Sequence, residues 1–322
     1  MKLVRRAVID IGTNSVKLLV ADVAGRGVRP ALEQSRQTRL GRGFYQTHRL
    51  QPGAVAQTAE AVGAFATTAR GLGATSVRVI ATSAGRDAKN PELLLGAVER
   101  AAGLRVEIIS GEREADWAFQ GVTTDPDLAR QPLLLLDVGG GSTEFILGQG
   151  HHQQFRGSFP LGTVRLLEKR PPGDPPTTGE LADCRRWLRE FLRQEVCPEL
   201  ASRLHLAPAV AAVTPAGRDQ VCLVGTGGTA TILGRLALKM DSFERERIEA
   251  TRLNLAEVRA TVARLWSLPL SGRKQVPGLP PNRADVILFG VAIYEAVMEQ
   301  FGFDELRLST RGLRFAAVME GV

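Results

Sequence analysis

Two stretches of this chain share one pattern, and that pattern limits what the chain can fold into. Residues 133–136 are four leucines that lead into Asp137; Val138, Gly139, Gly140, Gly141 and Ser142 follow, and residues 143–147 (Thr-Glu-Phe-Ile-Leu) lead away. Near the N-terminus, Ala7, Val8 and Ile9 lead into Asp10, then Ile11, Gly12, Thr13, Asn14 and Ser15, then the apolar stretch 16–20. Each reads as a buried strand ending in a carboxylate, a tight turn, and a second strand. Three consecutive glycines can take positive φ and bring bare amides close to an anion. Such a nest favours phosphate oxygens, with Asp137 beside it to hold the magnesium that phosphates bring. One copy alone is equally well a plain hairpin. Two copies 127 positions apart, about one domain length, predict two similar lobes with a phosphate site in the cleft between them.

Between the hairpins, Pro52 opens a helix to about Arg70, with Val55, Ala59, Val62, Ala66 and Ala69 on its buried face. A strand over 77–81 runs into Thr82, Ser83, Ala84, Gly85 and Arg86, at the start of another helix. Helix N-termini bind phosphate, and Arg86 could add a charge-assisted bond, although alone it reads as a surface arginine near a cap. Ser110 caps a helix whose apolar face is Ala115, Ala118, Phe119 and Val122. Glu112 and Glu114 lie about 200° apart around it, so they cannot share one site. Residues 123–131, with Asp125-Pro126-Asp127, form the hinge.

Beyond the second hairpin, His151 and His152 sit in a polar turn with no third ligand in reach. Thr177 and Glu180 form a capping box for a long helix to about Leu204, in which Trp187 and Leu188 are core. A strand over 221–224 leads into Gly225, Thr226, Gly227, Gly228, Thr229 and Ala230. A dinucleotide site there would need a strand ending in an acid ~20 residues on. Residues 240–252 are charged and helical instead, which excludes it. Asn282 is read as the cap of a helix starting Arg283-Ala284-Asp285, and 305–308 as the last strand.

At Asp10-Ile11-Gly12-Thr13-Asn14-Ser15, Ser110-Gly111-Glu112-Arg113-Glu114-Ala115 and Asp137-Val138-Gly139-Gly140-Gly141-Ser142-Thr143-Glu144, the chain resembles the exopolyphosphatase/guanosine pentaphosphate phosphatase family. Further matches run to Arg314. The resemblance implies an α/β fold, the two-lobed actin-like (ribonuclease H-like) fold of sugar kinases and heat-shock ATPases, with mixed sheets. The lobes would be 1–128 and 129–310, with a closing helix at about 311–322 returning to the first. It implies metal-assisted release of the terminal phosphate of inorganic polyphosphate, with guanosine pentaphosphate as the alternative substrate. In that scheme Gly12, Thr13, Asn14, Ser15, Gly139, Gly140, Gly141 and Ser142 cradle the phosphate, and Gly227 and Gly228 line its path. Asp10 and Asp137 hold or orient Mg2+ (or Mn2+), Glu144 supports them, Arg86 neutralises charge, and Glu114 activates water. Arg165, in the segment 158–165, is a further candidate contact; Gly85 departs from the bulkier family residue. A homodimer is implied by the resemblance alone. Longer relatives append a helical hydrolase-like domain and another C-terminal domain, for which this chain has no room. A non-catalytic sensor and a sugar kinase are the rival readings, the second lacking a recognisable sugar-facing aspartate.

Composition adds bounds. The net charge of +7 favours a polyanionic partner, but no zinc finger, aromatic-rich RNA motif or heptad repeat points to nucleic acid. No apolar run approaches the ~20 residues of a membrane span, and Asp10 breaks the N-terminal stretch too early for a signal peptide. Cys184, Cys197 and Cys222, an odd and scattered set, suit buried thiols in a reducing cytoplasm.

Overall fold

The computed structural model describes residues 3–204 and 221–320. The first sheet comprises β1 (Val4–Ile11), β2 (Ser15–Ala24), β3 (Gly27–Gln37), β4 (Ser76–Ala81) and β5 (Val106–Ile108), in the order β3-β2-β1-β4-β5. The second comprises β6 (Leu133–Val138), β7 (Thr143–Gln149), β8 (His152–Phe159), β9 (Cys222–Thr226), β10 (Arg252–Asn254) and β11 (Glu305–Leu308), in the order β10-β11-β9-β6-β7-β8. Without the short edge strand β10 the two orders are the same. In each, a leading strand pairs antiparallel with the next on one side and parallel with a later strand on the other. The leading strands β1 and β6 carry Asp10 and Asp137, so the repeat in the sequence is a repeat of topology.

Period-two burial explains the apolar runs. Ala7, Ile9 and Ile11 face the helices Pro52–Gly71 and Pro91–Ala102, while Val8 faces Trp117 and the closing helix Leu313–Met319. β6 is buried along its whole length, which is why it is written almost entirely in leucine. Leu134 and Leu136 join the core with the helix Ile287–Phe301, and Leu133 and Leu135 face Ala115, Ala118, Phe119 and Val122. The helix Gly111–Val122 therefore lies between the sheets, with Trp117 on one and Phe119 on the other. At Gly121 a Cβ would sit 2.0 Å from the carbonyl oxygen of Gly312, so only glycine lets the returning C-terminal segment cross there.

Some sequence expectations are corrected. Asn282 caps no helix: Pro281–Arg283 is a single 3-10 turn and the helix begins at Ile287. The capping box of Thr177 and Glu180 is present, but its helix ends at Phe191 and continues through a π turn, Leu192–Val196, before Cys197–Leu200. The hinge contains a short helix, Pro126–Ala129, capped by Asp125. Leu188 is core, while half-buried Trp187 stacks on Phe191 and under Arg170. Among the described residues no helix is long and apolar enough to cross a membrane.

Candidate active site

The two hairpin turns close alike: the amide of Gly12 donates to the carbonyl of Ser15, and that of Gly139 to the carbonyl of Ser142, each at 3.0 Å. Contrary to the expectation from sequence, none of Gly12, Gly139, Gly140 or Gly141 has positive φ. The second turn needs glycine for close approach. A Cβ on Gly141 would lie 2.2 Å from both Ser83 Oγ and Tyr45 Oη, and one on Gly140 would lie 2.9 Å from the Cβ of Thr13. The stripped turn of the second lobe thus docks on the first lobe. Gly227 is the site glycine with positive φ, and a Cβ there would lie 2.1 Å from Asp137 Oδ1.

The segment following each sheet's third strand holds its turn from outside. Thr38 and Arg39 donate amides to the carbonyl of Asn14, and Gly41 to that of Thr13. In the second lobe Thr163 donates to Gly139, and Val164 and Arg165 to Gly140. Outer carbonyls are taken, and the turn residues line a cleft of about 730 Å3 that opens to solvent.

Into this cleft come Asp10, Glu114, Asp137 and Glu144, all buried. Burial raises all four carboxyls. For Asp10 and Asp137 the Lys17 ammonium offsets part of that rise. Glu114 is pushed up to about 7 by burial, against the pull of the Arg86 guanidinium, which donates to its Oε2 at 2.9 Å. Glu144 is pushed well above the usual carboxyl range by burial and by Glu114 and Asp137, and Ser158 Oγ donates to it at 2.7 Å. The two glutamates interact, so their protons belong to the pair. Burial lowers the Lys17 ammonium, and it brings the Arg283 guanidinium down to about 10.

The structure brings together Asp10, Gly12, Thr13, Asn14, Ser15, Glu114, Asp137, Gly139, Gly140, Gly141, Ser142, Glu144 and Gly228. Arg86 is not among the residues lining this cleft; its side chain pairs with Glu114 and donates to the carbonyl of Ile109 at 3.3 Å. Gly227 lines an adjoining chamber. Arg165 binds the carbonyl of Gly141 at 2.7 Å and Asp87 at 3.1 Å and stacks over Tyr45, which makes it a tie between lobes. Glu112 points away, its side chain 78% exposed. Sequence reading missed Lys17 and Arg283, the second donating to Ser15 Oγ at 2.7 Å. Lys17 had a signal, since hairpin pairing puts it directly opposite Asp10; Arg283 had none.

Among the described residues no three His, Cys, Asp or Glu side chains gather as a self-sufficient metal centre. A magnesium site needs less: one or two carboxylates, with waters and substrate phosphates completing the shell. Asp10 and Asp137 fit that requirement. Asp10 Oδ1 is a buried acceptor without a hydrogen-bond partner among the described residues, and four crowded acids call for a cation. Glu144, occupied by Ser158, suits a supporting position better than a direct ligand.

Comparison with known proteins agrees with this geometry. The model of the Ppx/GppA phosphatase family matches residues 19–321. Exopolyphosphatase 2 of Mycobacterium tuberculosis is 34% identical over 324 residues, covering 96% of each chain. The crystal structure of the Aquifex aeolicus Ppx/GppA family member superposes with a TM-score of 0.77 at 29% identity, over 99% of this chain and 97% of that one. An exopolyphosphatase-like protein of known structure gives a TM-score of 0.87 at 27% identity, over 99% and 98%.

Proposed function

The chain belongs to the Ppx/GppA phosphatase family, whose fold is actin-like, and is a phosphoanhydride hydrolase; from that premise we propose that it releases the terminal phosphate of inorganic polyphosphate. The observation that carries this reading is Glu114: a buried carboxyl, poised at about 7, in a cleft walled by two phosphate-type turns. Turn amides other than those of Gly12 and Gly139, which close the turns, hold the terminal phosphoryl group. Lys17 and Arg283 offset its charge. Glu114 takes a proton from water as the water oxygen bonds to phosphorus; the bridging P–O bond breaks, and the shortened chain leaves with those electrons. Arg86 acts through Glu114, fixing which oxygen faces the water. Magnesium or manganese, held with Asp10 and Asp137, would supply charge neutralisation on the phosphate oxygens.

Phosphate release from long polyphosphate, with and without magnesium, tests the substrate. Glu114→Gln should bind the chain yet lose kcat by about a thousandfold; near wild-type turnover in that variant removes Glu114 from its role. One observation favours guanosine pentaphosphate as a second substrate. The adjoining chamber has an apolar side with Ile232, Pro280 and the 48%-exposed Phe243, suited to a nucleoside. Release rates from both substrates at matched concentration separate the readings. The homodimer belongs to the same proposal, and light scattering reads it directly.

A further inference from the structure

The chamber beyond the reacting end is continuous with the cleft through Lys17, Gly228, Ile232 and Arg283. Lys17, Arg235, Arg283 and Arg314 line it, against one carboxylate, Glu33. The ladder between β2 and β3 fixes where that carboxylate stands. Ser35 lies opposite Lys17 and Glu33 opposite Leu19, so Glu33 is about 7 Å further from the hairpin turn, on the same face as Ser35. Its side chain is only 16% exposed, and its two oxygens are both engaged. Arg245, from the second lobe, donates to Oε1, and Arg314 Nη2 donates to Oε2 at 3.3 Å. Arg245 also pairs with Glu249 at 3.2 Å, and Glu249 does not line the chamber.

We propose that Glu33 is a selectivity residue for whatever trails behind the reacting phosphates. It occupies the Arg314 guanidinium, which a polyphosphate tail would otherwise take, and it sets a negative charge in the path of a tail that is negative at every unit. A short chain that ends nearer the turns is spared this contact, and a less charged tail passes it at lower cost. The inference rests on the phosphohydrolase reading and assigns that site a preference for what lies beyond the first few phosphates.

The test compares steady-state phosphate release from tripolyphosphate and from long polyphosphate by the intact chain. Glu33→Gln keeps the shape and an acceptor for Arg314 while removing the charge. It should lower KM for the long chain by about fivefold, with kcat retained and KM for tripolyphosphate within about twofold. Glu249→Gln removes the other carboxylate on Arg245 and should leave the ratio of the two KM values unchanged. An unchanged long-chain KM in Glu33→Gln, an equal shift for both substrates, or the same length-dependent shift in Glu249→Gln overturns the proposal. If Glu33→Gln does not fold, Glu33→Asp, which draws the charge back by one methylene, should show the same length-dependent fall on a smaller scale; its absence counts equally against the idea. Wild-type protein that hydrolyses neither substrate fails the parent reading instead, visibly and before any substitution.

Discussion

The hairpins at Asp10 and Asp137 are built on one plan and do different work. Register and turn closure correspond position by position, and in each an outer segment donates amides to turn carbonyls, those of Thr13 and Asn14 in the first and of Gly139 and Gly140 in the second. They differ in two respects. Opposite the aspartate the first hairpin has Lys17 and the second has Glu144. At the turn the first keeps Thr13 and Asn14, while the second is reduced to Gly140 and Gly141 so that it can seat against Ser83 and Tyr45. Duplicated topology therefore supplies matching phosphate cradles, and substitutions within it divide the labour. One lobe contributes the fixed cation; the other contributes a further buried acid and a backbone thin enough to close the cleft.

Making the first hairpin resemble the second is the harshest challenge to that division. Lys17→Glu would place a fifth carboxylate among four and remove their buried cation, so kcat/KM should fall by about a thousandfold in phosphate-release kinetics. Next in size is the pH profile. Glu114 is active only when ionised and sits at about 7, so activity is held above that value. As pH falls through it, log(kcat/KM) should drop with a slope approaching one, about tenfold per unit, and Glu114→Gln should flatten that limb. The turns are then compared by Gly141→Ala and Gly12→Ala. The new methyl would lie 2.2 Å from its neighbours in the first case and 3.2 Å in the second. Urea unfolding should show a loss of about 1–3 kcal/mol for Gly141→Ala and less for Gly12→Ala; equal losses would mean the second turn is not a docking surface. The smallest effect belongs to Glu144→Gln. Because burial disfavours charge on Glu144 and Ser158 already occupies it, the amide should change kcat by no more than about threefold.

Much of this was legible in the chain because local rules and tertiary structure agree there. Alternating burial on β1, continuous burial on β6, the Ser110 cap and the Thr177–Glu180 box each follow from residue chemistry within a few positions. The place of Glu114 beside the apolar face was legible from helical geometry, while its role came from the resemblance. What could not be read depends on contacts between segments far apart. Arg283 reaches Ser15 across 268 positions, and nothing near it signals the cleft. The pairing of Arg86 with Glu114, across 28 positions, likewise had no local sign in the sequence. The glycines of the second turn are needed, but not for the positive φ expected of them: the crowding that demands them comes from Ser83 and Tyr45 in the other lobe.

The helix Leu313–Met319 closes a face of the first sheet, and the Arg6 side chain donates to the carbonyl of Met319 across 313 positions. During synthesis, then, Val8, Leu19 and Ile80 have only part of their cover on that side, from Ile109 and Trp117, until the chain reaches Leu313, and the lobe made first is the lobe finished last.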